Sequence, residues 1–449
     1  MWMGDDGTPH PARARRRMKR CAWIVVFLAL ALLAGCKPQA TPVSSTAAPI
    51  VLANDGAWNW IEDPRAVHIE GRRNRTYAGW VNRHGDLQIG AYDHASDRSE
   101  IVTLKNHWEV DDHDSPSILV LPDRRLMVFY TRHNLIGLYS QTTTRPEDIS
   151  AWEPEITVVK TARTTYSQPV YLADEKLIYV FWRGESWKPT FATSRDGKTW
   201  SAPRILVEQK GHEAEGIRPY LKIASDGKST FHIAFTDGHP RDEPTNSIYY
   251  LKYVHGAFYK ADGTRIGTMD TLPIQPSDSD IVYDAKPSKV RAWIWDVAQD
   301  STGNPVIAYA RFPKETDHRY HYAHWIGDHW LDTELVAAGG WFPQTPAGEH
   351  EREPHYSGGL ALDHADPSIV YLSRKIDGMF EIERWITKNG GKTWRSTAIT
   401  SKSTHPNVRP IVARNVGGGE YVLWMQGDYV HWIDYHTGIM LLGPDAGTH

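Results

Sequence analysis

The chain has 449 residues, 41% of them hydrophobic, with 19 Trp and 21 Tyr, which is ample material for a large packed core and excludes a disordered chain. A formal net charge of −4 leaves no basic face with which to argue for nucleic acid. Cys21 and Cys36 are the only cysteines, so a domain beyond them has no disulfide, no cysteine nucleophile and no Cys-based metal site.

The N-terminus reads as a targeting segment. From Met18, "MKRCAWIVVFLALALLAGC" has a basic start and an apolar run too short and wrongly flanked for an ordinary span, ending in Leu33-Ala34-Gly35-Cys36. That tetrad resembles a bacterial lipobox, which implies a signal peptide over 1–35, with the true start at Met18 or upstream, and lipidation of Cys36. The protein is then expected as a membrane-anchored lipoprotein, outer-membrane and facing the periplasm or the cell surface. The Pro/Ser/Thr/Ala stretch that follows makes 36–52 a lipidated Cys and flexible tether.

After the tether one pattern recurs: a short apolar strand, a polar turn, a second strand, then often a Trp. It begins at Arg75 ("RTYAGWVNRHGDLQIGAYD"), Arg124, Lys176, Ser229, Asn304, Ser368 and Glu420. Starts lie mostly about fifty residues apart, with longer gaps around 255–300 and 335–365, and sustained helical periodicity is absent. The period predicts an all-β fold, a seven-bladed β-propeller of four-stranded antiparallel blades over 53–443. "SRDGKTW" (Ser194–Trp200) and "TKNGGKTW" (Thr387–Trp394) resemble Asp-box turns, in which the Asp or Asn caps the turn and the Trp packs between strands. Asp196, Trp200, Asn389 and Trp394 are therefore scaffold.

Chemistry is expected where loops of adjacent blades converge. In "DDHDSPSILVLPDRRLMVFYTRHN" (111–134), His113 enters and His133 leaves one hairpin, and an antiparallel pairing brings both to one point. The next unit adds Tyr166 ("ARTTYSQPVYL") and Arg183 ("YVFWRGE"), and the one after it adds Arg218 and Tyr220 ("GIRPYLKI"). Asp111, Asp112 and Asp114 orient His113 or cap the strand. In "DHRYHYAHW", His318, Tyr320, His321 and Tyr322 either line the cleft or hold a structural metal. Alternation puts His318 and Tyr320 on one face and His321 on the other, which argues against a ligand cluster.

The order "DDHDSPSILVLPDRRLMVFYTRHN", "TTYSQPVYL", "FWRGESWKPTFATSRDGKTW", "RPYLKIASDG" resembles the seven-bladed propeller polysaccharide lyases of the ulvan-lyase type and their BNR-repeat relatives. The resemblance implies that His113 and Tyr166 carry the proton transfers and that Arg183 faces a uronate carboxylate. His133, Tyr220 and Arg218 would bind substrate. No cofactor is required, and the partner is an anionic uronate-containing polysaccharide or oligosaccharide taken by a monomer that meets the membrane only through its lipid. Chemically, β-elimination from a 4-linked uronate removes a weakly acidic C5–H, so the adjacent carboxylate needs a bidentate counter-charge, a base and an acid. The first reading makes His113 the base and Tyr166 the acid, with the reverse order open.

Two rivals stand beside this reading. A hydrolase acting on rhamnose–glucuronate linkages would normally need two carboxylates, although relatives using a His for that reaction keep it in play. A non-catalytic glycan-binding surface propeller would tolerate loss of His113 and Arg183. A sialidase lacks its Arg-Ile-Pro signature here, "EDPRAVHIE" being the nearest stretch.

Overall fold

The computed structural model describes residues 48–210, 217–414 and 420–443. The expected signal segment and Cys36 lie outside the described residues, among which no helix is long and apolar enough to cross a membrane. Among the described residues, strands account for the regular structure, and four short 3-10 turns interrupt them.

Each of the seven recurring pieces folds as an antiparallel hairpin. Examples are Asn74–Val81 with Leu87–Asp93, Leu126–Thr131 with Leu135–Arg145, and Val422–His431 with Asp434–Leu442. Alternation explains why: in Leu126–Thr131 the side chains facing each way are apolar enough to be buried between neighbouring sheets, and all six residues are buried. The hairpins build a β-propeller. Five blades stand as separate sheets, four of four strands and one of six, and an eight-stranded sheet spans 117–205.

The innermost strand of each sheet lies beside that of the next around a common axis. Backbone bonds close the circle from the last to the first, His68 N–H donating to Arg414 O (2.7 Å) and Arg414 N–H to Ala66 O (3.0 Å). The strand Ile50–Ala53 pairs with Asp434–Leu442 and completes the last sheet from the other end of the chain. The ring therefore begins three residues before the expected boundary at 53. Between that strand and Ala66–Glu70 the chain crosses the axis, burying Trp58 and Trp60; Trp60 stacks on Trp295 (4.6 Å) and donates to Ile294 O (3.1 Å).

Both Asp-box turns are capped as expected. Asp196 Oδ1 accepts from the backbone of Lys198 (2.8 Å) and Thr199 (2.7 Å), and Asn389 Oδ1 accepts from that of Thr393 (2.9 Å). Trp200 packs edge-on to Phe129 and Trp394 edge-on to Tyr322.

Candidate active site

The site begins with a turn. Asp111 caps the 3-10 turn Asp112–Asp114 by accepting from His113 N–H (2.9 Å), and this holds the His113 ring at the entrance of strand Ser117–Val120. His133 follows the partner strand Leu126–Thr131, and the hairpin register brings the two rings face to face, 4.0 Å between centroids and 7° between planes. One carboxylate joins them: Asp111 Oδ1 lies 2.6 Å from His113 Nδ1, and Oδ2 lies 2.8 Å from His133 Nδ1.

Behind this pair, Asp112 is fully buried and bonded to the Arg409 guanidinium and to Tyr429 OH (2.6 Å). Its Oδ1 is 2.9 Å from His113 Nδ1. Burial works against a charged His113, yet Asp111 and Asp112 override it and push the ring up to about 10. Burial and the neighbouring His113 charge bring His133 down to about 4, only partly offset by Asp111. The two stacked rings are thus driven in different directions, His113 toward the cation and His133 toward the neutral imidazole.

Tyr166 lies where the long strand Ile156–Leu172 stops pairing with Leu135–Arg145 and starts pairing with Leu177–Arg183. The changeover gives it a left-handed backbone (φ 64°), a conformation costly for a bulky residue and typical of functional positions. Burial, then Tyr220, hold its hydroxyl well above the ordinary tyrosine range. Among the described residues, the Tyr166 hydroxyl and Nε2 of both histidines have no hydrogen-bond partner.

Arg183 ends the strand Leu177–Arg183 and is 6% exposed. Its guanidinium lies 4.7 Å from the ring centres of both Tyr166 and Trp187, donates to Tyr220 OH (3.1 Å) and Thr165 Oγ1 (3.2 Å), and has no carboxylate partner among the described residues. A nearly buried cation without a counter-ion is ready to receive an anion. Arg218 sits on the far side of the same subsite, 5.4 Å from the Trp187 ring and ion-paired to Asp242.

The six expected substrate and proton-transfer residues, His113, His133, Tyr166, Arg183, Arg218 and Tyr220, therefore come together through direct or one-neighbour contacts. The "DHRYHYAHW" expectation does not hold. His318, Tyr320, His321 and Tyr322 are all buried, and each serves a different neighbour: His318 bonds Ser357 and Pro354 O, Tyr320 bonds Ser373 O, His321 bonds Asp332, and Tyr322 bonds Pro367 O. Among the described residues, Asp111, His113 and His133 are the one group of three metal-capable side chains. With the rings stacked 4.0 Å apart and only 7° between their planes, their in-plane ring-nitrogen lone pairs run side by side instead of converging, which fits tetrahedral ligation of a metal ion poorly.

Three residues that the sequence did not single out border the site. Trp187 stacks under Arg183; Trp432 stands edge-on to His113 (5.8 Å) and His133 (6.4 Å); Arg409 anchors Asp112. Trp432 was visible as an aromatic in "YVHWIDYHTG", but nothing in a local pattern ties it to a turn more than 300 residues earlier. A separate cavity of about 500 Å³ lies at the opposite mouth of the axis, where the inner strands end, and its Asp63 and Arg414 are already in ion pairs.

Residues 75–338 match the BNR repeat-containing family. No curated protein matches the sequence. Among solved structures, a PL25 polysaccharide lyase, an ulvan lyase bound to -[GlcA(1-4)Rha3S]-, aligns with 88% of this chain and 96% of its own at 15% identity and a TM-score of 0.66. Polysaccharide lyase Uly1 aligns with 88% of this chain and 98% of its own, at 11% identity and 0.56. The BP39L lectin from Burkholderia pseudomallei aligns with 85% and 94%, at 11% and 0.51. At these identities the likeness is one of fold.

Proposed function

The chain belongs to the BNR repeat-containing family, and from that premise we propose that it is a polysaccharide lyase cleaving a uronate-containing, rhamnose/glucuronate-type glycan by β-elimination. The observation that carries this reading is Arg183: a nearly buried guanidinium with no carboxylate of its own among the described residues, 4.7 Å from the centre of the Tyr166 ring. A uronate carboxylate would complete the ion pair. Its neutralisation lets the C5–H electrons move toward the carboxyl group as that bond breaks, before C4=C5 forms and the C4–O bond is lost.

As they stand, His113 and Tyr166 are both donors, one an imidazolium held by two carboxylates and the other a phenol kept protonated by burial. The reading gives Tyr166 the leaving glycosidic oxygen, with the His113 charge alongside to stabilise the oxygen as it departs. His113 as base, the expectation from sequence, would first have to lose the Nε2 proton of an imidazolium that the Asp111 and Asp112 charges at Nδ1 stabilise. Tyr220 and Arg218 flank the carboxylate subsite.

The reading also takes the propeller as seven-bladed. The eight-stranded sheet divides at Tyr166 into two units sharing the strand Ile156–Leu172, which adds two blades to the five separate ones. It further takes the protein to be a monomer tethered by a lipid on Cys36; Cys36→Ala should move it from the membrane fraction to the soluble fraction, and an unchanged fractionation would remove the anchor.

Incubation with uronate polymers should generate the ultraviolet absorbance of an unsaturated uronate. Arg183→Ala should lower its rate of appearance by about 10²–10³-fold, the usual cost of losing one preorganised charge donor. A saturated product that still depends on His113 would make the protein a hydrolase, and glycan binding without turnover would make it a lectin.

A further inference from the structure

We propose that His133 is the base of this site and that Asp111 is the positioning residue that makes it one, an inference that rests on the lyase reading above. The geometry starts from the shared carboxylate. A carboxylate only accepts, so both Nδ1 atoms bonded to Asp111 carry hydrogen, which leaves Nε2 as the nitrogen of each ring not engaged by that carboxylate. Asp111 is 4% exposed and also bonds the backbone of His113, so neither oxygen is free to swing away.

The two rings are not equivalent. His113 has a second carboxylate beside Nδ1, that of Asp112, itself clamped by Arg409; His133 has only its share of Asp111 and lies in the field of Arg183. A second imidazolium stacked 4.0 Å from the first would meet like charge across the whole ring face. The pair therefore holds one positive charge, on His113, and leaves His133 with an Nε2 lone pair; the shifts to about 10 and about 4 agree. The other ionisable groups near the pair include Asp114 from the same turn, Glu62 from the axis-crossing segment, Tyr166, Glu353 from the loop before Leu360–Leu362, His431 beside Trp432, and Glu109, which accepts from His133 N–H (3.4 Å). Each of these acts from outside the shared carboxylate.

In the step itself, His133 Nε2 takes the C5 proton, the C5–H electron pair becomes the C4=C5 bond, the C4–O pair leaves with the glycosidic oxygen, and that oxygen takes the proton of Tyr166. The pair ends with two charges on stacked rings, an arrangement that favours prompt loss of the His133 proton to solvent.

Two measurements test this, the first needing no substrate. In the histidine-labelled full chain, ¹⁵N resonances at pH 7 should show His133 neutral with hydrogen on Nδ1 and His113 doubly protonated. Finding His133 charged, or protonated on Nε2, overturns the inference whether or not the protein is a lyase. The second is the pH profile of the ultraviolet assay. His133→Ala should lose turnover as fully as His113→Ala. Asp111→Asn, with an amide that donates where the carboxylate accepted, should lower kcat by about 10²–10⁴-fold with little change in KM and should move the acid limb of kcat/KM, as expected when a base is held in the wrong tautomer. An unmoved limb and an undiminished kcat in Asp111→Asn would overturn it. No unsaturated product from any uronate polymer would instead overturn the lyase reading and leave the resonance result standing.

Discussion

Glu62 is 1% exposed, neither of its carboxyl oxygens has a hydrogen-bond partner among the described residues, and burial drives its ionisation well above the usual carboxylate range. A group raised in this way binds more protons in the native than in the unfolded chain. Its contribution is thus whole below the unfolded value, about 4.3, and is lost as pH climbs toward the native one. Glu62→Gln keeps the shape and removes the ionisation, so its stability relative to the parent should improve between pH 5 and pH 8, which denaturant unfolding at the two pH values would measure. A constant difference across that range would show that Glu62 does not titrate against the fold. At the same scale, His113 and His133 were legible because a hairpin's ends must meet, and Tyr166, Arg183 and Tyr220 because their order along the chain resembled a known site. That one histidine is driven toward the cation and the other toward the neutral ring was not legible: the difference depends on Asp112 being fixed by Arg409, almost 300 residues away in the chain and brought in only by closure of the ring.

Strands read well where alternation and turn chemistry agreed. All seven hairpins sit where the apolar–turn–apolar pattern put them, and the Ser194–Trp200 turn keeps its cap although it is one residue shorter than the Thr387–Trp394 turn. The weakest stretch was 255–300, and the structure gives a physical reason. There the sheet of Leu221–Ser225 adds the short strands Ala257–Tyr259 and Arg265–Thr268, and Ile248–Val254 also pairs with Asp280–Tyr283. Short, half-buried strands joined by turns carry little periodicity to read. The "DHRYHYAHW" strand misled for the opposite cause. His and Tyr at strand spacing suggested a working surface, but most of that strand is buried and its polar tips are used up in bonds to adjoining strands and loops.

For the whole molecule, the repeat was visible in the sequence but its fastening was not, because Ile50–Ala53 is four residues at the end of a segment that composition assigns to a tether. That strand covers the outer edge of Asp434–Leu442, buries Leu52 and Ala53, and delivers the chain to the axis, where Trp58 donates to Arg409 O (3.1 Å) and Trp60 fills the centre. Starting the chain at Asn54 would expose a row of unpaired backbone groups on the last sheet and forfeit the burial of Leu52, worth about 1.5–3 kcal/mol on its own. The expected result is a lower melting midpoint together with concentration-dependent association, read by thermal unfolding and size-exclusion chromatography. Because the inner-strand bonds between Ala66, His68 and Arg414 remain, the ring should still close and the shortened chain should fold before it associates. A chain starting at Asn54 with an unchanged midpoint and a single monomeric peak would mean that those inner bonds alone hold the ring shut, and that the outer strand covers an edge without bearing stability.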